Sequence, residues 1–271
     1  MLEINVDLFN TDEKQVTKIK TGFWGIDNLI GGLKPGDIFV IRARPGKGKS
    51  TLAINIASRI SSGSNGIKSR VLYFSLEMTN KEIASKILSS YTKINGRKII
   101  NNTLDDTETE TVCNAYSVTS KYDLYIDDKA GATLSYIRNK INTVKPNVVV
   151  IDHIGLIKSE NQRFSKYEQL NEISNSLKCI AKDTKTAIIE LCQLNREIEG
   201  RKNKVPLMRD LRDSGSIEQD ADNILLIESD DSETELYRCS IFHLLKVRHG
   251  RTGKVQMRFL PEFSLFKDTE Q

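Results

Sequence analysis

The segment "DIFVIRARPGKGKSTLAINIASRI", residues 37–60, decides the fold. It opens with an apolar, β-rich run, passes through a turn rich in glycine and lysine, and continues with helical spacing. The turn ends in Gly48, Lys49 and Ser50, the order in which a phosphate-binding loop closes. In such a loop successive backbone N–H groups and a helix N-terminus converge on the β- and γ-phosphates of a nucleotide, while a lysine adds charge and a hydroxyl binds magnesium. One letter departs from the pattern, because the glycine expected five residues before Gly48 is Ala43. That glycine mainly permits the turn, and alanine serves where its φ is negative. The expected nucleotide contacts are therefore Ala43, Arg44, Pro45, Gly46, Lys47, Gly48, Lys49, Ser50 and Thr51.

Outward from this segment, short β-rich runs alternate with helical ones, the pattern of a mostly parallel sheet covered by helices on both faces. The expected strands are "DIFVIR" (37–42), "RVLYFS" (70–75), "DLYID" (123–127), "NVVVID" (147–152), "TAIIEL" (186–191) and "NILLIE" (223–228). Leu170, Ile173, Leu177, Ile180 and Ala181 recur at helical spacing, so "KYEQLNEISNSLKCIAKD" (166–183) lays one apolar face on the sheet. The tail differs: "CSIFHLLKVR" and "KVQMRFL" alternate like antiparallel strands joined across "HGRTG", a C-terminal hairpin. Residues 1–20 read as a polar arm or linker stub and 21–271 as one domain. The acidic "ESDDSETE" (228–235) reads as a loop, and "REIEGRKNKVPLMRDLRDSG" (196–215) as a long charged loop of the functional kind.

Composition narrows the class. The 271 residues suit a single α/β domain. With 40 Lys and Arg against 36 Asp and Glu, the net charge of +4 is too mild to announce nucleic acid by itself. Cys113, Cys179, Cys192 and Cys239 lie far apart with no C-x-x-C pair, which argues against a zinc site or a disulfide framework and for a reducing compartment. No basic stretch followed by an apolar one opens the chain, and no apolar run is long enough to span a membrane, so a cytoplasmic protein is expected.

Two carboxylates complete the expected site. Asp152 ends the buried run "NVVVID", where an acidic residue holds magnesium through water. Glu77, in "VLYFSLEM", follows the strand expected beside the phosphate loop, where a carboxylate can deprotonate the attacking water. Taken alone, each has a plainer role: a cap after a strand for Asp152, and a helix-dipole partner for Glu77.

Several stretches together resemble the helicase domain of DnaB-family replicative helicases, within the RecA-like P-loop NTPases. In that family the phosphate loop often begins with alanine in an "ARP" context, as Ala43, Arg44 and Pro45 do here. "TGFWGIDNLIGGLKPGD" (21–37), "FSLEM" (74–78), "VVVIDHIGLI" (148–157), "QLNREIEGR" (193–201), "DLRDSGSIEQDAD" (210–222) and "KVRHGRTG" (246–253) follow in the family's order. The resemblance implies ATP as substrate, Mg2+ as cofactor and single-stranded DNA as partner. It also implies a homo-oligomer, as a hexameric ring, with a primase or helicase loader as further partners. It implies roles as well: Lys49 as the phosphate lysine, Ser50 and Asp152 as magnesium-holding groups, Glu77 as the base and Gln193 as a sensor of the γ-phosphate. Arg212, Asp213 and Gly215 match the loop that grips the single-strand backbone. Lys246 and Arg248 match the pair that reaches a neighbouring subunit's γ-phosphate, in a hairpin with six basic and no acidic residues from Arg238 to Arg258. Gly46 and Lys47 stand where the family usually has serine and methionine, Asp213 where glutamate is usual, and "HGRTG" where "NGPTG" is common. The helical N-terminal domain of family members has no counterpart, so the chain reads as a helicase domain with at most a linker stub.

Two functional classes follow from these readings. One is a motor that hydrolyses ATP at subunit interfaces and translocates on single-stranded DNA. The other is a recombinase, or a KaiC-like or RadA-like regulatory ATPase, that binds DNA or protein without unwinding. The missing cysteine zinc motif weakens the RadA-like version, and "DLRDSGSIEQDAD" favours the motor. An inert clamp would require a damaged site, whereas Lys49, Asp152 and Glu77 are intact.

Overall fold

A computed structural model describes residues 18–64, 66–159, 164–193, 215–233 and 237–269. Its centre is a nine-stranded sheet. In chain order the strands are β1 (Ile38–Ala43), β2 (Val71–Ser75), β3 (Leu124–Asp127), β4 (Val148–Asp152), β5 (Ala187–Gln193), β6 (Asn223–Glu233), β7 (Arg238–Val247), β8 (Gly253–Leu260) and β9 (Leu265–Asp268). They lie side by side as β3-β2-β4-β5-β1-β6-β7-β8-β9. The first six in that order pair in parallel, and β7, β8 and β9 extend the sheet antiparallel. All six runs expected as strands from the sequence are strands, and the expected C-terminal hairpin is β7–β8.

The central strands β1, β2 and β4 are buried along their whole length, as a parallel sheet covered on both faces requires. On one face α1 (Trp24–Ile30), α2 (Lys49–Ser62) and α3 (Asn80–Thr92) pack on Phe39, Ile41, Tyr73 and Val150. On the other, α6 (Leu134–Val144), α7 (Lys166–Thr184) and α8 (Gly215–Asp220) cover Val40, Leu72, Val149 and Ile188. Two further helices, α4 (Gly96–Asn101) and α5 (Asp106–Thr119), extend the α3 side. In α7 Ile173, Leu177, Ile180 and Ala181 are buried at the spacing the sequence displays. Capping boxes start α3 (Thr79 with Glu82), α5 (Asp105 with Glu108) and α7 (Ser165 with Glu168), each satisfying N–H groups that the first helical turn leaves free.

Two expectations change. The acidic stretch does not leave the sheet at Glu228: residues 228–233 continue β6, with Glu228 opposite Ile241, Ser229 opposite Ser240 and, past an irregularity, Glu233 opposite Arg238. Pairing with β7 at Glu228, Ser229 and Glu233 keeps this run in the sheet despite its acidic composition. Nor is the arm free up to residue 20, because Ile19 exchanges both backbone hydrogen bonds with Leu33 at 2.8 Å. The expected loop at 196–215 lies outside the described residues except for Gly215, which begins α8. Among the described residues no helix is long and apolar enough to cross a membrane.

Candidate active site

The site is built at the carboxyl ends of the parallel strands, where open α/β sheets present their loops. β1 leads into the phosphate loop and α2 follows it. Ala43 is the last residue of β1, 1% exposed, and pairs with Gln193 on one side and Ile227 on the other. It is a strand residue with an ordinary φ, so the missing glycine costs nothing. The turn uses its other glycines: Gly46 has φ 74° and Gly48 φ 88°. Gly48 has a second constraint, since a Cβ there would lie 2.7 Å from the Phe266 ring. Phe266 stacks on Phe259 with centroids 4.4 Å apart, so β8 and β9 form the floor beneath the loop.

Lys49 opens α2 and directs its amine toward β4. Its Nζ lies 3.8 Å from Asp152 Oδ1, with the two side chains 12% and 1% exposed. The other carboxylate oxygen accepts a hydrogen bond from the buried Tyr73 hydroxyl at 2.9 Å, and burial beside this carboxylate drives the Tyr73 phenol far above its ordinary range. Asp152 Oδ1 is buried with no hydrogen-bond partner, an acceptor aimed into the site. Together with the Ser50 hydroxyl at the start of α2, it is a donor set of the hard oxygen kind that suits magnesium, which takes one or two protein oxygens and completes its shell with water and phosphate. No cluster of three or more His, Cys, Asp or Glu side chains competes for such an ion among the described residues.

Glu77 is exposed on the bend between β2 and α3, three residues before that helix begins. The capping of α3 itself is done by Thr79 and Glu82. A cleft of about 380 Å3 gathers the phosphate loop, Glu77 and Gln193. Gln193 is not a buried amide: it stands exposed at the end of β5 and lines the cleft.

The cleft also holds residues the sequence reading does not single out: Met78, Lys86, Arg238, Phe259 and Pro261. Lys86 matters most chemically. Burial holds its amine below the ordinary lysine range, and the Asp152 charge partly restores it. The sequence signal for it is its place on a helix whose start the capping box "TNKE" marks, shortly after Glu77. Arg238 and Phe259 face each other across β7 and β8 and reach the cleft only because that hairpin folds back beside β6.

Lys246 and Arg248 are not brought into this cleft. Lys246 pairs with Ile224, and β6 runs parallel to β1 with Asn223 beside Phe39, so both cations sit at the beginning of the parallel strands. The phosphate loop leaves the other end of β1, about 15 Å away along the strand at roughly 3.3 Å per residue. Arg212 and Asp213 lie outside the described residues, and Gly215 begins α8.

A phosphate loop between β1 and α2, an acidic residue ending a buried neighbouring strand and a mostly parallel sheet with helices on both faces define a P-loop nucleotide-binding protein of the RecA-like class. Residues 18–268 match the model of the DnaB-like helicase C terminal domain, and the chain belongs to that family. It is 35% identical over 268 residues to the replicative DNA helicase DnaB of Buchnera aphidicola subsp. Baizongia pistaciae, a match spanning 96% of this chain and 57% of that protein. It is 32% identical over 275 residues to the replicative DNA helicase DnaB of Geobacillus stearothermophilus, spanning 98% and 60%. The chain thus covers less than two thirds of the length of these curated relatives. Among solved structures it resembles one described as an ATPase domain, with a TM-score of 0.87, 30% identity and 96% and 94% of the two chains covered. It also resembles a DnaB-like replicative helicase described with its primase interactions, with a TM-score of 0.86, 30% identity and 97% and 64% covered.

Proposed function

We propose that this chain is the ATP-hydrolysing motor of a ring-forming replicative helicase that moves on single-stranded DNA. The observation that carries this reading is the separation of the site into two halves at opposite ends of one sheet. The phosphate loop, Glu77, Asp152 and Gln193 lie at one end, and Lys246 and Arg248 at the other. Cations so placed serve a phosphate only across a subunit boundary. A ring closes head to tail and makes one such boundary per subunit, and a hexamer is the assembly the family suggests.

In this reading Lys49 neutralises the terminal phosphates of ATP, and the backbone N–H groups around Gly46 and Gly48 cradle them. Glu77 takes the proton of the attacking water as its oxygen bonds to the γ-phosphorus. The bond from that phosphorus to the β,γ-bridging oxygen breaks, and ADP leaves with the electron pair. Ser50 and Asp152 would hold a magnesium ion, which would supply positive charge to the phosphates. Gln193 ends β5, and the chain runs on from it to Arg212 and Asp213, so a change at the γ-phosphate has a direct covalent route toward the residues proposed to hold DNA. Primase contact, described for one structural relative, and a loader are proposed partners of the whole assembly.

The test is ATP hydrolysis with and without single-stranded DNA, alongside the mass in solution. Hydrolysis stimulated by DNA in a hexamer is expected. A DNA-indifferent monomer with full activity would favour the alternative reading, a self-contained regulatory ATPase.

A further inference from the structure

We propose that Asp222 is a positioning residue that holds Arg248 at the subunit edge, in the posture from which it acts on the neighbouring nucleotide. The proposal rests on the reading of Arg248 as a group acting in trans.

Asp222 is 1% exposed, yet it is engaged from several directions. Its Oδ2 accepts from the Ile38 N–H at 2.8 Å, at the start of β1, and from Lys178 Nζ of α7 at 2.5 Å. Its Oδ1 accepts from Arg248 Nη1 at 2.9 Å, and its backbone carbonyl accepts from the Arg248 N–H, also at 2.9 Å. Arg248 is therefore tied at both backbone and guanidinium to one buried residue, while its side chain remains 61% exposed. A surface arginine with no such anchor samples many rotamers, and ordering it on demand costs conformational entropy. Here that ordering is built into the subunit before any neighbour arrives.

The anchor is itself anchored. Ser174 and Lys178 lie one turn apart on α7. Ser174 donates to Asp220 at 2.9 Å and Lys178 to Asp222, while Lys178 also donates to the Gly36 carbonyl at 3.0 Å. Lys246 donates to the carbonyls of Glu218 and Gln219 at 2.7 and 3.2 Å, on the α8 residues just before Asp220. Both cations of the hairpin are thus referenced to one short segment, residues 218–222. The electrostatics agree: burial pushes the Asp222 carboxyl up, but hydrogen bonds from Lys178, Ile38 and Arg248 outweigh it and hold the group below its ordinary range. The neighbouring Asp37 is raised by its own burial and by Asp222. The local positive partners of Asp222 are therefore already in use, and the carboxylate stays ionised for Arg248.

The experiment compares steady-state ATP hydrolysis by Asp222→Asn, Lys178→Met, Arg248→Ala and the double variant Asp222→Asn/Arg248→Ala, each with its thermal midpoint. Asparagine keeps an acceptor for the Ile38 N–H and loses the charge. Asp222→Asn is expected to lower kcat about 10²-fold, the scale of a misplaced reacting group, with KM for ATP within about twofold of wild type. Lys178→Met, which removes one of the contacts that hold Asp222, should lower the midpoint and reduce kcat less than Asp222→Asn does, and the double variant should be no slower than Arg248→Ala alone. If Asp222→Asn does not fold, Asp222→Glu replaces it, since the longer side chain keeps the charge but displaces the guanidinium, and the same fall in kcat is expected. Wild-type turnover by the Asp222 variant beside an inactive Arg248→Ala would overturn the positioning role alone. So would a double variant far slower than Arg248→Ala. Wild-type turnover by Arg248→Ala would instead overturn the trans reading beneath the proposal.

Discussion

Lys49 Nζ and Asp152 Oδ1 lie 3.8 Å apart, an ion pair between the first residue of α2 and the last residue of β4. Tyr73 fixes the acid from behind, through a 2.9 Å hydrogen bond to its other oxygen. Lys49→Ala should abolish tight nucleotide binding, because it removes the side-chain charge assigned to the terminal phosphates. Tyr73→Phe should destabilise the fold by about 1.5–3 kcal/mol, the range for a buried hydrogen bond to a charged group. Isothermal titration with ATP and chemical denaturation check the pair. Tight binding by Lys49→Ala would remove the loop from the site.

Gly48→Ala tests the loop without touching a charge. Its φ of 88° is one that L side chains resist, at a cost of about 1–2 kcal/mol. The added Cβ also meets Phe266 at 2.7 Å. The variant should lose both thermal stability and nucleotide affinity, whereas Gly46→Ala, where a Cβ meets nothing within 4 Å, carries only the backbone cost. Equal losses in the two variants would show that the aromatic floor does not constrain the loop.

Glu190 on β5 is fully buried, and burial, reinforced by Asp220, pushes its carboxyl up to about 8. Its folded-state value therefore lies above the unfolded 4.5. A group raised in this way contributes stability that is full below the unfolded value and is lost as pH rises through the folded one. The thermal midpoint should accordingly decline between pH 4.5 and about 8, and Glu190→Gln should flatten that decline. An identical pH profile in the variant would mean that the buried carboxylate is ionised throughout.

Arg212→Ala addresses the proposed DNA loop. It should weaken single-stranded DNA binding about equally for all sequences and flatten the dependence of affinity on salt, because a phosphate contact releases counterions but reads no base. Basal hydrolysis should persist. Unchanged affinity with an unchanged salt slope would take this residue out of the interface.

Much of this architecture is legible in the sequence for a physical reason. Buried parallel strands such as "NVVVID" must be continuously apolar, and a phosphate loop must place glycine and lysine at fixed offsets between strand and helix. The odd alanine is explained by its position, because Ala43 belongs to the strand rather than to the turn. What stays hidden depends on contacts between distant segments. Phe266 under Gly48 and Lys86 within the field of Asp152 follow from packing, not from spacing. The acidic run at 228–233 does not look like a strand because its pairing with β7 overrides local composition.

In the proposed ring each complete site draws Glu77 from one subunit and Arg248 from the next. Arg248→Ala and Glu77→Gln should each retain nucleotide binding and lose hydrolysis, by a factor on the order of 10³ or more for the arginine. The most direct measurement mixes the two inactive proteins under conditions where subunits exchange and follows ATP turnover. At a mixed junction a Glu77→Gln subunit presents its intact Arg248 to a neighbour whose own Glu77 is intact, so activity should return on mixing and peak at intermediate ratios. Mixtures as inactive as either parent despite demonstrated exchange, or an Arg248→Ala protein that hydrolyses ATP normally on its own, would contradict the account.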